Sequence, residues 1–312
     1  VFALYAVIPL FFILVWVDYA WLDQAVKKAL PASPEHWAYW TIIFNMPHVV
    51  ASLITFADRQ YLAHYQKNLL IGLGVAVSLG VALPALLGQF ALFVALASYT
   101  MYHVILQQYG IGLVFLRKKP DRAYRAWAYS AVFAAILGYA AALLPGVVGL
   151  GRLYYFHLAF SVAAVAHLIY SYRFYRVLKA EGKARGAGFW YFLANIALVE
   201  MSYVAIWSGY TAFSIIIPRV IHDITAYMVY MVHDHNRNRT ARHNFLYAPL
   251  LMLGVPAIIL CVPASIWLAW LPTHYTKLIL TMIFLHYYME GLMWKHGSPH
   301  RAHVPFTIPK LR

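Results

Sequence analysis

The sequence has few charged residues and almost no cysteine. Asp, Glu, Lys and Arg make up only 11% of its 312 residues, whereas hydrophobic residues make up 63%. Soluble domains are roughly a quarter charged and half apolar. So large an apolar excess cannot be buried in one water-soluble core, which excludes a soluble enzyme and a disordered chain. The single cysteine, Cys261, excludes an intrachain disulfide scaffold.

Long apolar stretches are abundant instead. A helix needs about 20 apolar residues to cross a bilayer, and ten stretches of about that length lie near 1–22, 37–57, 69–88, 90–115, 124–145, 153–175, 189–209, 212–233, 247–270 and 275–294. They do not alternate apolar and polar residues as the strands of a membrane barrel do. We therefore predict an all-α, polytopic membrane helix bundle of about ten transmembrane helices over residues 1–294. The first stretch is expected to be a true span, since it has no basic segment before it and no cleavage site after it.

The basic residues alternate from loop to loop. All but five of the 24 Lys and Arg residues follow even-numbered stretches. The positive-inside rule makes that side cytoplasmic, so both termini and a tail over residues 295–312 are predicted to be cytoplasmic. The formal net charge of +14 then reflects the basic cytoplasmic loops of a membrane protein. We therefore expect no nucleic-acid partner. We expect a bacterial inner membrane as the location.

One histidine recurs in each even-numbered stretch. The five are separated by intervals of 55, 64, 55 and 64 residues and are His48, His103, His167, His222 and His286. Each lies roughly 9–14 residues before the next basic loop, which at ~1.5 Å per residue gives all five a similar depth. Imidazoles from facing helices are common metal ligands. The sequence therefore predicts a buried metal or haem site, although each histidine alone could be a hydrogen-bonded structural residue.

Two of these histidines have a polar partner one helical turn later. Glu290 follows His286 by four residues, and Gln107 follows His103 by four. Residues at this spacing share a helix face. The pairs indicate auxiliary ligands or groups that orient the imidazoles.

Two further carboxylates lie within the predicted spans. Asp223 adjoins His222 and points about 100° away from it, toward a neighbouring helix. Glu200 is deep in the seventh stretch, and an ion pair with Arg219 or a hydrogen-bonded neutral acid are its structural alternatives. The predicted catalytic or auxiliary groups are Glu200, Asp223, Glu290 and Gln107.

A second set of histidines lies in the predicted cytoplasmic segments: His64, His233, His235, His243, His296, His300 and His303. The last three resemble a desaturase histidine box in spacing, but Gly297 and Pro299 argue against one helix presenting them together. His222 and His233 are ~16 Å apart along a helix, so one mononuclear site cannot use both. We favour the buried set, expect the loop histidines to be solvated, and leave a second site open.

Metal chemistry fits the sequence better than nucleophilic catalysis. We find no Gly-rich phosphate loop, no G-x-S-x-G motif and no cysteine metal pair. Imidazole and carboxylate ligands suit iron, copper or zinc. Oxidation of an apolar substrate by O₂ requires a redox metal with open positions, which favours iron.

Pro47-His48 within a span, with His103, His167 and His222 in other spans, resembles the histidine-rich integral membrane non-haem iron oxygenases. Among these the chain resembles the bacterial membrane carotene-cleaving dioxygenases, although the Pro-His-Gly and His-Phe-Gly contexts of that family are absent. The resemblance implies an iron centre that uses O₂.

We therefore expect a membrane oxidoreductase of the oxygenase or desaturase type with mono- or dinuclear iron. Its partners would be a lipid-soluble substrate, O₂, membrane lipids and an electron donor protein or quinone. Two alternatives stay open. One is a membrane electron-transfer protein with haem b, and the other is a secondary transporter for protons or metal ions. Copper is the alternative metal.

Overall fold

The structure, a computed structural model, describes residues 2–30, 48–143, 150–240, 276–295 and 297–304. Within these ranges the chain forms helices and no strand. The helices are α1 (Val7–Trp21), α2 (Ala25–Ala29), α3 (His48–Ala57), α4 (Arg59–Val77), α5 (Leu83–Leu87), α6 (Gln89–Phe115), α7 (Arg122–Leu143), α8 (Leu150–Ala180), α9 (Gly186–Ser208), α10 (Thr211–Thr240) and α11 (Thr276–Met293). A 3-10 turn, Phe2–Ala6, precedes α1, and a 3-10 helix, His300–His303, follows α11.

Five helices in the described part of the chain are long and apolar enough to cross a membrane: Phe2–Trp21, Arg59–Leu87, Leu153–Ala180, Gly186–Ser208 and Thr211–Arg237. Large apolar side chains on them face outward, for example Leu86 (81% exposed) and Tyr155 (69% exposed). Surfaces of this kind are expected against lipid. The predicted all-α fold is thereby confirmed for the described residues, and the five apolar helices indicate a membrane protein. The count of ten spans and the orientation stay predictions, and the ninth predicted span, 247–270, lies outside the described residues.

Asp58 separates α3 from α4. Its backbone is extended, and its Oδ1 accepts hydrogen bonds from the backbone N–H groups of Gln60 (2.8 Å) and Tyr61 (3.3 Å). An N-cap of this kind satisfies donors that have no partner inside the helix. Helix α4 therefore begins at Arg59, where the sequence predicts a loop before residue 69, and continues through a π-helical turn, Ser78–Ala82, into α5.

The chain divides into two compact units. The first comprises Val1–Trp37, Ala97–His222 and Ile308–Arg312, and the second comprises Ala38–Leu96 and Asp223–Thr307. The core of the first unit contains Tyr5, Ile8, Phe11, Ile111, Tyr191, Leu198, Met201, Ala205, Tyr210, Ile217 and Ile221. In this unit Gly188 is required at the start of α9, because a Cβ there would lie 2.6 Å from the carbonyl oxygen of Phe115.

The second unit has its own core. It contains Ala51, Phe56, Tyr61, Tyr65, Ala226, Tyr230, Met289 and Met293. Helix α11 packs closely on α4, since a Cβ at Gly72 would lie 2.5 Å from the ring of Tyr288. This packing places α11 with His286 and Glu290 inside the second unit.

Candidate metal centre

Two of the predicted ligands face each other in the second unit. His48 belongs to α3 and His286 to α11, and both side chains are fully buried. Their Nε2 atoms are 3.1 Å apart. Nitrogen ligands at about 2.0–2.1 Å from one tetrahedral or octahedral ion lie roughly 2.9–3.4 Å apart when adjacent. The separation therefore fits two neighbouring ligands of one ion.

Neighbouring groups orient both rings. Ser52 Oγ donates to the carbonyl oxygen of Val49 (2.7 Å) and lies 2.6 Å from His286 Nδ1. Because its proton is used on the carbonyl, Ser52 accepts the Nδ1 proton of His286 and leaves a lone pair on Nε2. Asp223 Oδ1 lies 3.2 Å from His48 Nδ1, and a carboxylate there favours a lone pair on His48 Nε2. With a lone pair on His286 Nε2, the 3.1 Å contact is either a hydrogen bond from His48 Nε2–H or the spacing of two nitrogen ligands on one bound cation.

Glu290 brings a carboxylate to the same pair. Its Oε2 lies 4.0 Å from His286 Nε2, one helical turn away on α11. Its other oxygen, Oε1, accepts a hydrogen bond of 2.5 Å from the hydroxyl of Tyr230. Tyr230 and Glu290 are both buried. The tyrosine thus holds one carboxylate oxygen and leaves the other directed toward the histidine.

The residues fit a transition-metal ion. A group of described side chains that includes His286 and Glu290, and a second histidine group that includes His48, each offer ligand atoms close enough together to hold a metal ion. Imidazole nitrogen with carboxylate oxygen suits iron, copper or zinc better than magnesium or calcium. The prediction of a histidine cluster able to bind a metal is confirmed. The donor set alone does not distinguish iron from the other two metals.

The first unit contains a second histidine pair of similar geometry. The rings of His103 and His222 meet edge to face, with centroids 4.9 Å apart and an interplanar angle of 81°. The corresponding values for His48 and His286 are 4.8 Å and 77°. His222 is 2% exposed and lies one turn after Pro218 in α10. Both are predicted ligands, and that role stays a prediction.

His167 has a hydroxyl partner at each ring nitrogen. Tyr109 Oη lies 3.3 Å from its Nε2, and Ser130 Oγ lies 3.2 Å from its Nδ1. Ser130 donates to the carbonyl oxygen of Trp127, so it accepts from Nδ1 and Tyr109 donates to Nε2. This environment matches the structural alternative for His167. A metal at its Nε2 would have to displace the Tyr109 hydroxyl.

Gln107 and Glu200 each keep one side-chain oxygen buried in the first unit. Within the described residues, Oε1 of each has no hydrogen-bond partner. A buried acceptor without a donor is costly, by about 1–3 kcal/mol. Both oxygens are therefore available to a ligand or a proton, as the predicted catalytic roles of Gln107 and Glu200 require. Those roles stay predictions.

Pro47, which precedes the predicted ligand His48 in the sequence, lies outside the described residues.

The predicted cytoplasmic histidines separate into buried and exposed side chains. His233 and His300 are buried in the second unit, with rings stacked 5.0 Å apart at 14°. His64 and His235 are exposed, and His296 lies outside the described residues, as does His243. The expectation that these histidines are solvated is wrong for His233 and His300, because the chain after α11 folds back and buries the second ring.

His300 is held by two contacts of the second unit. Its Nε2 lies 3.2 Å from Thr55 Oγ1, and its ring stacks on Tyr61 with centroids 3.9 Å apart. Burial lowers the pKa of His300 to about 2, so this ring is neutral. The side chains of His233, His300 and His303 do not form a metal-binding group with other described residues. These neighbours support a packed histidine cluster in place of a second metal site.

Sequence reasoning did not identify Ser52, and it did not distinguish Tyr230 from the other tyrosines near the predicted ligands. Ser52 follows His48 by four residues, and Tyr230 follows Asp223 by seven, so each shares a helix face with a predicted site residue. That spacing is the signal that could have found them. It is weak for tyrosine, because the chain contains 25 of them.

Comparisons with known proteins give no homologue. No protein-family model matches the sequence. No curated protein and no solved structure shows significant similarity to it. The resemblance to iron oxygenases therefore gains no support from these comparisons, and the function has to be argued from the site.

Proposed function

We propose that this membrane protein is an oxidoreductase that binds iron at His48, His286 and Glu290 and uses O₂ to oxidise a lipophilic substrate. The observation that carries the proposal is the convergence of the two histidine Nε2 atoms, 3.1 Å apart, beside the Glu290 carboxylate. Two imidazoles and one carboxylate with open positions are typical of non-haem iron oxygenases. The resemblance noted from Pro47-His48 favours the same metal.

The residues of the second unit have separate roles in this proposal. Ser52 and Asp223 fix the histidine tautomers, and Tyr230 fixes Glu290. Bound iron would supply O₂ activation at positions that the protein ligands leave open. Glu290 Oε1 accepts a hydrogen bond from the Tyr230 hydroxyl, so this pair can hold or release a proton beside the metal. Apolar neighbours such as Ala226 and Met289 exclude water.

The expected substrate, electron donor and membrane location belong to the same proposal. A site buried in a membrane protein suits a substrate that arrives through the bilayer, and an electron donor protein or quinone would reduce the iron. The proposed location is a bacterial inner membrane. Haem b does not fit the His48–His286 pair, because Nε2 atoms 3.1 Å apart leave no room for a porphyrin ring between them.

Metal analysis tests the proposal. The protein purified in detergent should contain iron near stoichiometry and show no Soret band. His48→Ala and His286→Ala should each lower the iron content at least tenfold, because each removes a nitrogen ligand. His64→Ala is the matched control, since this histidine is exposed and its loss should leave iron unchanged.

Two results would overturn the proposal. One is full iron retention in both His48→Ala and His286→Ala. The other is stoichiometric zinc, with no iron, in protein from cells supplied with both metals. His103→Ala and His222→Ala then report whether the pair in the first unit also contributes to metal binding.

A further inference from the structure

A buried tyrosine in the second unit has a base in line with its hydroxyl. Tyr61 is 1% exposed, and its Oη lies 2.8 Å from His233 Nε2. His233 Nδ1 lies 2.8 Å from Asp234 Oδ1. Because a carboxylate accepts the Nδ1 proton, Nε2 is the acceptor of the ring and Tyr61 donates to it. The phenol thus has a ready destination for its proton, and a carboxylate stabilises the imidazolium that forms.

A cation lies over the same phenol ring. The guanidinium carbon of Arg237 is 4.8 Å from the centre of the Tyr61 ring, and Arg237 Nε donates to Asp58 Oδ2 at 2.7 Å. A fixed positive charge disfavours a tyrosine that has lost an electron but kept its proton. Oxidation of Tyr61 must therefore release the proton, and His233 is placed to take it.

Aromatic rings connect this tyrosine to the candidate metal centre within the second unit. The ring centroids are 5.6 Å apart from Tyr61 to His233, 6.2 Å from His233 to Trp294, and 5.5 Å from Trp294 to Tyr230. The Tyr230 hydroxyl donates to Glu290. Electron tunnelling weakens steeply with distance, so the oxidisable rings of Trp294 and Tyr230 divide the path from Tyr61 into shorter steps, and the His233 ring fills the space between Tyr61 and Trp294.

We propose that Tyr61 is a redox-active tyrosine that passes electrons toward the metal centre, with His233 as its proton acceptor. The inference rests on the proposed function for its electron acceptor, the iron centre after it has reacted with O₂. Tyr61 loses one electron by way of Trp294 and Tyr230, while its O–H bond breaks and the proton moves to His233 Nε2. A one-electron donor, such as a quinol or a donor protein, then reduces the tyrosyl radical, and the proton returns from His233 to the Tyr61 oxygen.

The relay can be tested without iron. Metal-free protein carrying 3-fluorotyrosine at position 61 is oxidised by a flash with a ruthenium polypyridyl sensitiser and a cobalt(III) electron acceptor, and is then frozen for EPR. The long-lived radical should show fluorine hyperfine splitting, because burial protects it. 3-Fluorotyrosine at Tyr154, which is 61% exposed, is the control and should not split the long-lived signal.

A second variant examines the proton acceptor. His233→Gln can still accept a hydrogen bond from Tyr61 but cannot take its proton, so the long-lived radical should fall at least tenfold. An unsplit radical in the 61-labelled protein, or an undiminished radical in His233→Gln, overturns the proposal.

Iron-loaded protein then separates this inference from the proposed function. Tyr61→Phe should bind iron normally, but it should lose the long-lived tyrosyl radical that forms when Fe(II)-loaded protein is mixed with O₂ and frozen for EPR. An undiminished radical overturns the relay and leaves the iron centre standing. Failure of the unsubstituted protein to bind iron overturns the proposed function, while the experiment on metal-free protein still decides whether Tyr61 and His233 are a redox pair.

Discussion

Removing one hydroxyl, by Tyr230→Phe, should weaken metal binding without removing a ligand. The hydroxyl donates to Glu290 Oε1 at 2.5 Å, and both side chains are buried. A hydrogen bond to a charged group contributes about 1.5–3 kcal/mol, and about 1.4 kcal/mol corresponds to a tenfold change in affinity. If that stabilisation is lost only from the metal-bound state, Kd should rise roughly 10- to 100-fold, which is also the usual cost of losing a residue that orients a metal ligand.

The assay is titration of the metal-free protein with Fe(II) under anaerobic conditions against a competing chelator. Tyr109→Phe is the matched control, because Tyr109 is equally buried but its hydroxyl faces His167. An unchanged Kd in Tyr230→Phe would refute the assignment of Glu290 as a ligand. An equal loss in Tyr109→Phe would refute the assignment of His167 as structural.

Two further predictions concern stability. Gly188→Ala should destabilise the protein by about 1–3 kcal/mol, because its Cβ would lie 2.6 Å from the Phe115 carbonyl oxygen. Gly74→Ala is the control, since a Cβ there has no neighbour within 4 Å and the thermal midpoint in detergent should not change. Equal midpoints for the two variants would contradict the close approach of Gly188 to Phe115. The hydrogen bond from Lys118 holds the pKa of Glu181 below its ordinary value of 4.5, so this pair stabilises the folded state above about pH 4.5 and loses its effect as the pH falls below that value. Lys118→Met should reduce the acid sensitivity of the thermal midpoint, and an unchanged pH profile would show that the pair does not contribute.

The sequence predicts most of the described helices because every helix that crosses a bilayer needs a long run of apolar residues. The stretches 124–145 and 189–209 correspond to α7 (Arg122–Leu143) and α9 (Gly186–Ser208). The rule fails where a helix continues outside its apolar part. Helix α4 begins about ten residues before the predicted third span, because the Asp58 cap and side-chain packing, which hydropathy does not report, stabilise its polar first turns.

The candidate site is partly predictable for the same reason. A histidine or glutamate in an apolar run is rare and costly, so His48, His286 and Glu290 stand out in the sequence. Asp223 is correctly expected to serve a neighbouring helix, since it approaches His48 of α3. Which histidines pair could not be predicted, because all five have a similar expected depth and only tertiary packing selects His48 with His286.

Hydroxyl groups that bond their own helix determine where the histidine lone pairs point. Ser52, Thr55 and Ser130 each donate to the carbonyl oxygen three residues earlier, and each faces an imidazole nitrogen, on His286, His300 and His167 respectively. A hydroxyl whose proton is committed to a carbonyl can only accept, so it forces a proton onto the nitrogen facing it. The lone pair then lies on the other nitrogen of each ring. For His167 that nitrogen meets Tyr109, and for His300 it meets no hydrogen-bond partner among the described residues. Only at His286 does the lone pair meet the Nε2 atom of a second histidine, and that difference makes this position, among the three, the best candidate for a cation.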